Sequence, residues 1–166
     1  MMSFTEMVKG ELTRIRRDSI DARRAELLAL LRMNGSMIMG GAGRCGMEFS
    51  TRNNAAARRV LVYLKKDFGL KPVVMVRQGR KLRRKNVYTL TVRPSEEGFG
   101  FLTRLGFLPL SPMSDMEVCS RAEDRRAYLA GAFLGGGSVN RPQRDYHLEM
   151  VTQSYPFASL IMQAMH

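Results

Sequence analysis

The chain has 166 residues and 45% hydrophobic content, enough to bury a core in one domain or one domain with an appendage. Lys and Arg number 27 against 15 Asp and Glu, a formal net charge of +12 that favours a polyanionic partner, nucleic acid first. Two cysteines without a CxxC exclude a disulfide framework, and two histidines, His147 and His166, are too few for a histidine-based metal centre.

No apolar run approaches the roughly 18–20 residues of a membrane-crossing helix. The start, Met1 to Glu6, lacks the basic and apolar stretches of a signal peptide. The expectation is a cytoplasmic protein with reduced thiols at Cys45 and Cys119, no cofactor and no membrane partner.

Ser3 with Glu6 three residues on is a capping-box signature, predicting a helix to about Asp18. A second helix is predicted from about Ala22 to Met33, with Leu27, Leu28, Leu30 and Leu31 making a wide apolar side. Asn34-Gly35 stops it. Met37 to Thr51 predicts a hairpin around Gly40, Gly41 and Gly43. Asn53 or Asn54 caps a third helix, from Ala55 to Phe68, which ends at Gly69. Strands follow at Val73–Arg77 and Asn86–Val92, then a helix from Ser95 through Leu105 ending at Gly106. Pro109, Ser111, Pro112 and Ser114 form the clearest linker signal. Ser120 with Glu123 predicts a further capping box, followed by a helix through Leu134 into Gly135-Gly136-Gly137-Ser138. A hairpin with His147–Thr152 as its second strand comes next, and a helix from about Tyr155.

The chain repeats itself. Asn34-Gly35-Ser36 answers Gly136-Gly137-Ser138, and Met47-Glu48-Phe49-Ser50-Thr51 answers Leu148-Glu149-Met150-Val151-Thr152, at spacings that agree within one residue. The expected organisation is an N-terminal helix in residues 1–20, a first repeat in 21–108, a linker in 109–119 and an incomplete second repeat in 120–166. A piece of a longer protein is the favoured expectation, a naturally shortened protein the alternative.

Gly41-Ala42-Gly43-Arg44-Cys45-Gly46 matches the dinucleotide pattern GxGxxG. It leads into a strand rather than opening a helix, so it reads as a hairpin loop. The basic run says more. Between Gly69 and Ser95 there is no acidic residue, while Lys71, Arg77, Arg80, Lys81, Arg83, Arg84, Lys85 and Arg93 are cationic. Concentrated charge of one sign costs self-repulsion, and strand-borne cations can contact phosphates and base edges in a major groove.

Leu129-Ala130-Gly131-Ala132-Phe133-Leu134-Gly135-Gly136-Gly137-Ser138 resembles the LAGLIDADG motif of homing endonucleases, and Leu27 to Ser36 is a weaker copy. The resemblance implies an α+β fold of tandem αββαββα repeats with antiparallel saddle sheets, the second repeat truncated. It also implies two motif helices packed through small residues. In active members each motif brings an acidic residue to hold a divalent metal. The matching positions here are Asn34 and Gly136, which carry no carboxylate. Glu48 and Glu149 lie on strands beyond the hairpins and are expected to be structural or polar-surface residues.

Among relatives without the acidic pair, the chain is most similar to the WhiA family. The similarity rests on Ser3 to Leu12, the Met47–Thr51 strand, the Arg77–Asn86 hairpin with Val87-Tyr88, and Arg125 to Asn140. It implies a bacterial transcription regulator of cell division, cell cycle and sporulation, nucleoid-associated, catalytically inactive and bound to double-stranded DNA. A C-terminal helix-turn-helix domain is expected in the full-length protein. Arg77, Arg80, Lys81, Arg83, Arg84 and Lys85 are the expected phosphate and groove contacts, with Ser36, Ser138 and Asn140 near the backbone. An active metal-dependent endonuclease and a protein-interaction module are the alternatives.

Overall fold

The computed structural model describes residues 2–80, 85–108, 114–143 and 145–166. The chain forms two compact units, one from residues 1–33 and 111–166, the other from residues 34–110.

The second unit is a four-stranded antiparallel sheet with two helices. Its elements are β1 (Gly35–Met39), β2 (Cys45–Thr51), α3 (Asn54–Phe68), β3 (Val73–Arg77), β4 (Val87–Ser95) and α4 (Glu96–Leu105), with strand order β1-β2-β4-β3. Local chemistry explains most of the boundaries. The β1–β2 turn passes through Ala42 and Gly43, both at positive φ, as a tight antiparallel reversal requires. The Asn53 side chain accepts from the Ala56 N–H at 2.9 Å, starting α3. Gly69, at φ 64°, ends it, and the Leu70 N–H reaches back to the Leu64 carbonyl. On α3 the buried positions Ala56, Ala57, Val60, Tyr63 and Leu64 fall on one face. They belong to a core shared with Met47 and Phe49 of β2, Leu90 and Val92 of β4, and Phe101, Leu102 and Leu105 of α4. Two glycines let backbones close up. A Cβ at Gly46 would overlap the Val92 carbonyl oxygen, and one at Gly98 would overlap that of Cys45.

The first unit holds α1 (Phe4–Arg14), α2 (Ile20–Asn34, of which Asn34 falls in the other unit), α5 (Asp115–Val118), α6 (Ala122–Gly136), β5 (Gly137–Val139), β6 (Leu148–Met150) and α7 (Tyr155–Met165). The capping box at Ser3 and Glu6 forms as expected. Helix α1 stops at Arg14, short of Asp18; past the extended Ile15, Arg17 turns inward to pair with the fully buried Glu26 carboxylate. Arg23 then holds that extended segment, donating to the Arg17 and Asp18 carbonyls at 3.0 Å. Helix α2 is buried nearly all round, from Ala22 to Leu31, as befits a central element. It packs on α6 through small residues: a Cβ on Gly131 would overlap the Glu26 carbonyl oxygen and lie 3.1 Å from the Ala29 Cβ.

One expectation fails here. The capping box at Ser120 and Glu123 does not form; α6 starts at Ala122, with Arg121 in the cap position and no side-chain cap bond. Within the linker segment, Ser114 holds the N-cap position of a short helix, α5, without a side-chain cap bond, and Asp115 of that helix is buried. Pro109, Ser111 and Pro112 lie outside the described residues.

That Asp115 joins three helices. Arg32 of α2 donates to both of its oxygens, Nε at 3.0 Å and Nη2 at 2.9 Å, and the Tyr128 hydroxyl of α6 donates at 2.8 Å. Burial and the Asp115 charge push the Tyr128 pKa up, so the hydroxyl stays a donor.

Asp124, in the first turn of α6, is less well served. It is buried, and its Oδ1 has no hydrogen-bond partner among the described residues. Burial raises its pKa above the ordinary carboxylate value, the Asp21 charge adds to this, and Arg121 opposes it. The folded-state pKa therefore exceeds the unfolded one, so the ionised carboxylate destabilises the fold. That penalty is complete above the folded pKa and fades as the pH falls towards about 4, the ordinary aspartate value. Asp124→Asn is expected to be more stable than the parent at pH 7, with the difference shrinking at acid pH. Urea unfolding at both pH values measures it, and equal midpoints at pH 7 would contradict the assignment.

Candidate nucleic-acid interface

Alternation on β2 separates two faces of the four-stranded sheet. Met47, Phe49 and Thr51 are buried beneath it, while Glu48 is exposed and Ser50 half-buried on the other side. The register carries this polar face across the strands. Ser36, Glu48, Thr91 and Val73 stand in one row; Ser50, Thr89 and Met75 in the next. The hydroxyls of Ser50 and Thr89 lie 3.1 Å apart, a cross-strand pair that holds both side chains upright. Arg77 opposes Val87 at the end of β3. The result is a hydroxyl-rich surface with cations at its margin.

Of the basic residues singled out from the sequence, Arg77 lies on β3, Arg80 in the segment after it and Lys85 just before β4, and all three are exposed. Lys81, Arg83 and Arg84 lie outside the described residues. Ser36 is exposed on β1, Ser138 is exposed on β5, and Asn140 follows β5, its backbone N–H donating to the His147 carbonyl at 3.0 Å. Thr89, Thr91 and Ser50 went unnoticed in the sequence, although period-two alternation marks them as facing away from the core.

The internal repeat is physically real. In the two-stranded sheet of the first unit, Ser138 opposes Glu149, as Ser36 opposes Glu48 in the four-stranded one. Glu149 and the His147 ring nitrogen lie 3.3 Å apart in an exposed pair. Because it is solvated, this pair contributes little to stability.

The two motif positions close their helices: Asn34 is the last residue of α2, Gly136 the last of α6. Gly136 has no room for a side chain. A Cβ there would come within 2.6 Å of the Met33 sulfur and 2.7 Å of the Val151 carbonyl oxygen. Val151 also donates its N–H to the Gly136 carbonyl at 3.0 Å, so backbone pairing seals this end of α6. A carboxylate here would require the backbone to move. Among the described residues, no group of three or more His, Cys, Asp or Glu side chains could hold a metal ion. No helix among them is long and apolar enough to cross a membrane.

Comparison with known proteins agrees with this geometry. The family described as the WhiA N-terminal LAGLIDADG-like domain matches residues 21–108, and the WhiA LAGLIDADG-like domain matches residues 125–166. The chain is 36% identical over 174 residues to a protein of Heliobacterium modesticaldum named "Probable cell division protein WhiA", covering 99% of this chain and 53% of that protein. A protein of the same name from Desulforamulus reducens is 38% identical over 170 residues, covering 99% and 52%. The chain thus spans about half the length of the curated relatives it matches.

Among solved structures, full-length WhiA from Thermatoga maritima superposes with a TM-score of 0.70 at 24% identity, over 99% of this chain and 50% of that one. A variant of the homing endonuclease I-DmoI, in complex with its own target DNA, superposes with a TM-score of 0.54 at 12% identity, over 88% and 75%. These likenesses show an α+β fold shared by WhiA and the LAGLIDADG endonucleases. With over half of its residues matched by the first of the two WhiA domain families, the chain belongs to the WhiA family.

Proposed function

We propose that this chain is the DNA-binding, non-cleaving LAGLIDADG-like part of a bacterial transcription regulator that acts in cell division and sporulation. Loss of cleavage is supported above all by Gly136, where an acidic ligand is missing and any side chain would clash with Met33 and Val151. Binding is supported by the acid-free stretch Gly69–Ser95, with Arg77, Arg80 and Lys85 exposed beside a hydroxyl-rich sheet face. Lys81, Arg83 and Arg84 belong to the same basic run and are proposed contacts on sequence grounds. Ser36, Ser138 and Asn140 are proposed to meet the sugar-phosphate backbone. Residues 21–108 and 120–166 act as the two repeats, with 1–20 as an N-terminal helix and 109–119 as the link between them. The full-length protein carries a helix-turn-helix domain and works in the cytoplasm, associated with the nucleoid.

Fluorescence anisotropy with a labelled duplex tests the binding. Each phosphate contact contributes about one unit to the slope of log affinity against log salt. Replacing Arg77, Arg80 and Lys85 together with alanine is expected to lower affinity at least tenfold at low salt and to flatten that slope by about 2–3 units. Unchanged affinity and slope would remove this surface from the interface. Supercoiled plasmid incubated with magnesium or manganese is expected to stay intact. Nicking that disappears in Glu48→Ala or Glu149→Ala would instead establish an endonuclease with displaced acids.

A further inference from the structure

Strand β3 is an unusual edge. It is the terminal strand of its sheet, it pairs with β4 through a continuous register, and all five of its residues are exposed. The side chains left in water are apolar: Val73 is 40% exposed, Val74 50%, Met75 60% and Val76 51%. They alternate in direction, so both faces of this edge are apolar. The opposite edge, β1, half-buries Met37 and Ile38.

An edge strand offers a row of unpaired backbone N–H and C=O groups, and proteins usually blunt it with an internal charge, a proline or a bulge. None of these interrupts β3. Pro72 precedes it and Arg77 is its last residue, leaving Val73 to Val76 as an uncharged run. Single exposed apolar residues are ordinary, but four in succession on a pairing edge form a surface suited to another strand.

The charge around this edge selects the occupant. Lys71, Arg77 and Arg80 flank it, all exposed, within the stretch that has no acidic residue. A second copy of the chain fits poorly. Antiparallel self-pairing centred on Met75 would set each Arg77 diagonal to the other copy's Lys71, within reach of one another and of the same sign. Each copy would also bring a net charge of +12. Duplex DNA can satisfy the cations, and its thymine methyl groups can meet the face carrying Val73 and Met75, yet it offers no alternating ladder of amide donors and acceptors for the edge and cannot also cover Val74 and Val76 on the opposite face. An extended polypeptide with acidic flanks meets both requirements.

We propose that β3 is a strand-addition site for an acidic, extended peptide segment of a partner protein. The segment pairs with the outer edge of β3, lays apolar side chains against Val74 and Val76 on one face and the methyl groups of threonine-like side chains against Val73 and Met75 on the other, and sets its acidic ends against Lys71, Arg77 and Arg80. Because Arg77 and Arg80 are also proposed DNA contacts, peptide and duplex compete for them. The strand pairing itself does not depend on DNA binding.

The test uses the whole chain and a fluorescein-labelled peptide, Asp-Glu-Val-Thr-Val-Thr-Val-Glu-Asp, with two controls: proline in place of the central valine, and lysine in place of every acidic residue. Both controls are expected to bind at least tenfold more weakly, since the first breaks the amide ladder and the second reverses the charge match. Met75→Glu, checked for native circular dichroism, is expected to lose a similar factor. Hydrogen exchange on the complex is expected to slow at residues 73–77. The proposal is overturned if the proline control binds as well as the parent peptide, which would indicate charge attraction alone. It is equally overturned if no binding is seen, or if exchange slows elsewhere and not in β3. Peptide binding without duplex binding would leave this site standing and remove the proposed DNA-binding role.

Discussion

Asp115→Ala is expected to destabilise the unit containing residues 1–33 by about 3–5 kcal/mol, the range for removing one partner of a buried ion pair. The Arg32 and Asp115 side chains are only 6% and 1% exposed, so the guanidinium cannot recover its lost partner from water. The paired geometry, with Arg32 donating to both carboxylate oxygens, makes the loss larger than for a single contact. Tyr128 loses its acceptor in the same variant. Tyr128→Phe, which removes one donor and leaves the ion pair, is expected to cost about 1 kcal/mol. Urea denaturation of the two variants separates these values. Similar, small losses for both would mean that the ion pair adds nothing beyond its hydrogen bond to the tyrosine.

Gly131→Val is expected to be as damaging, by overpacking rather than by loss of a charge. Helices α2 and α6 meet where a Cβ on Gly131 would strike the Glu26 carbonyl oxygen, and Ala29 closes the remaining space. The obstacle is backbone, which cannot rotate away. The Glu26 side chain is itself fully buried and paired with Arg17, which further fixes this part of α2. Replacing a mid-helix glycine with alanine would normally stabilise the helix by about 1 kcal/mol. At this position overpacking of about 1–3 kcal/mol outweighs the gain for alanine, and valine adds further volume and a stiff χ1. Both variants should show lower urea midpoints, valine much the lower; a Gly131→Ala protein more stable than the parent would contradict the close helix contact.

Much of this fold was legible in the sequence, because the signals that start and stop elements act over a few residues. Ser3 with Glu6, Asn53, Gly69 and Gly106 each mark a terminus through a bond closed within one turn. The repeat was legible for a related reason: two short segments of similar pattern fold into hairpins of the same register, and Ser36–Glu48 and Ser138–Glu149 end up equivalent. The basic run between Gly69 and Ser95 was equally plain, and so were the empty motif positions Asn34 and Gly136.

Other features depended on residues far apart in the chain. Ser120 and Glu123 have the spacing of a capping box, yet α6 starts at Ala122 and leaves Ser120 outside the helix. The capping-box helix α1 ends at Arg14, and beyond it Arg17 pairs with the buried Glu26, nine residues on. Ser114 and Asp115 resembled linker until Arg32, 83 residues away, and Tyr128 closed on the Asp115 carboxylate.

By itself, then, the sequence determined the order and kind of the elements other than α5, most of their caps, the duplication and the charge of one hairpin, all of which arise from near neighbours along the chain. The tertiary structure alone decided which small residue lets α2 and α6 touch, which charges are buried, that Gly136 has no room for a side chain, and that β3 presents a bare apolar edge. Those outcomes depend on what lies across the gap from each residue, and local pattern carries no record of that.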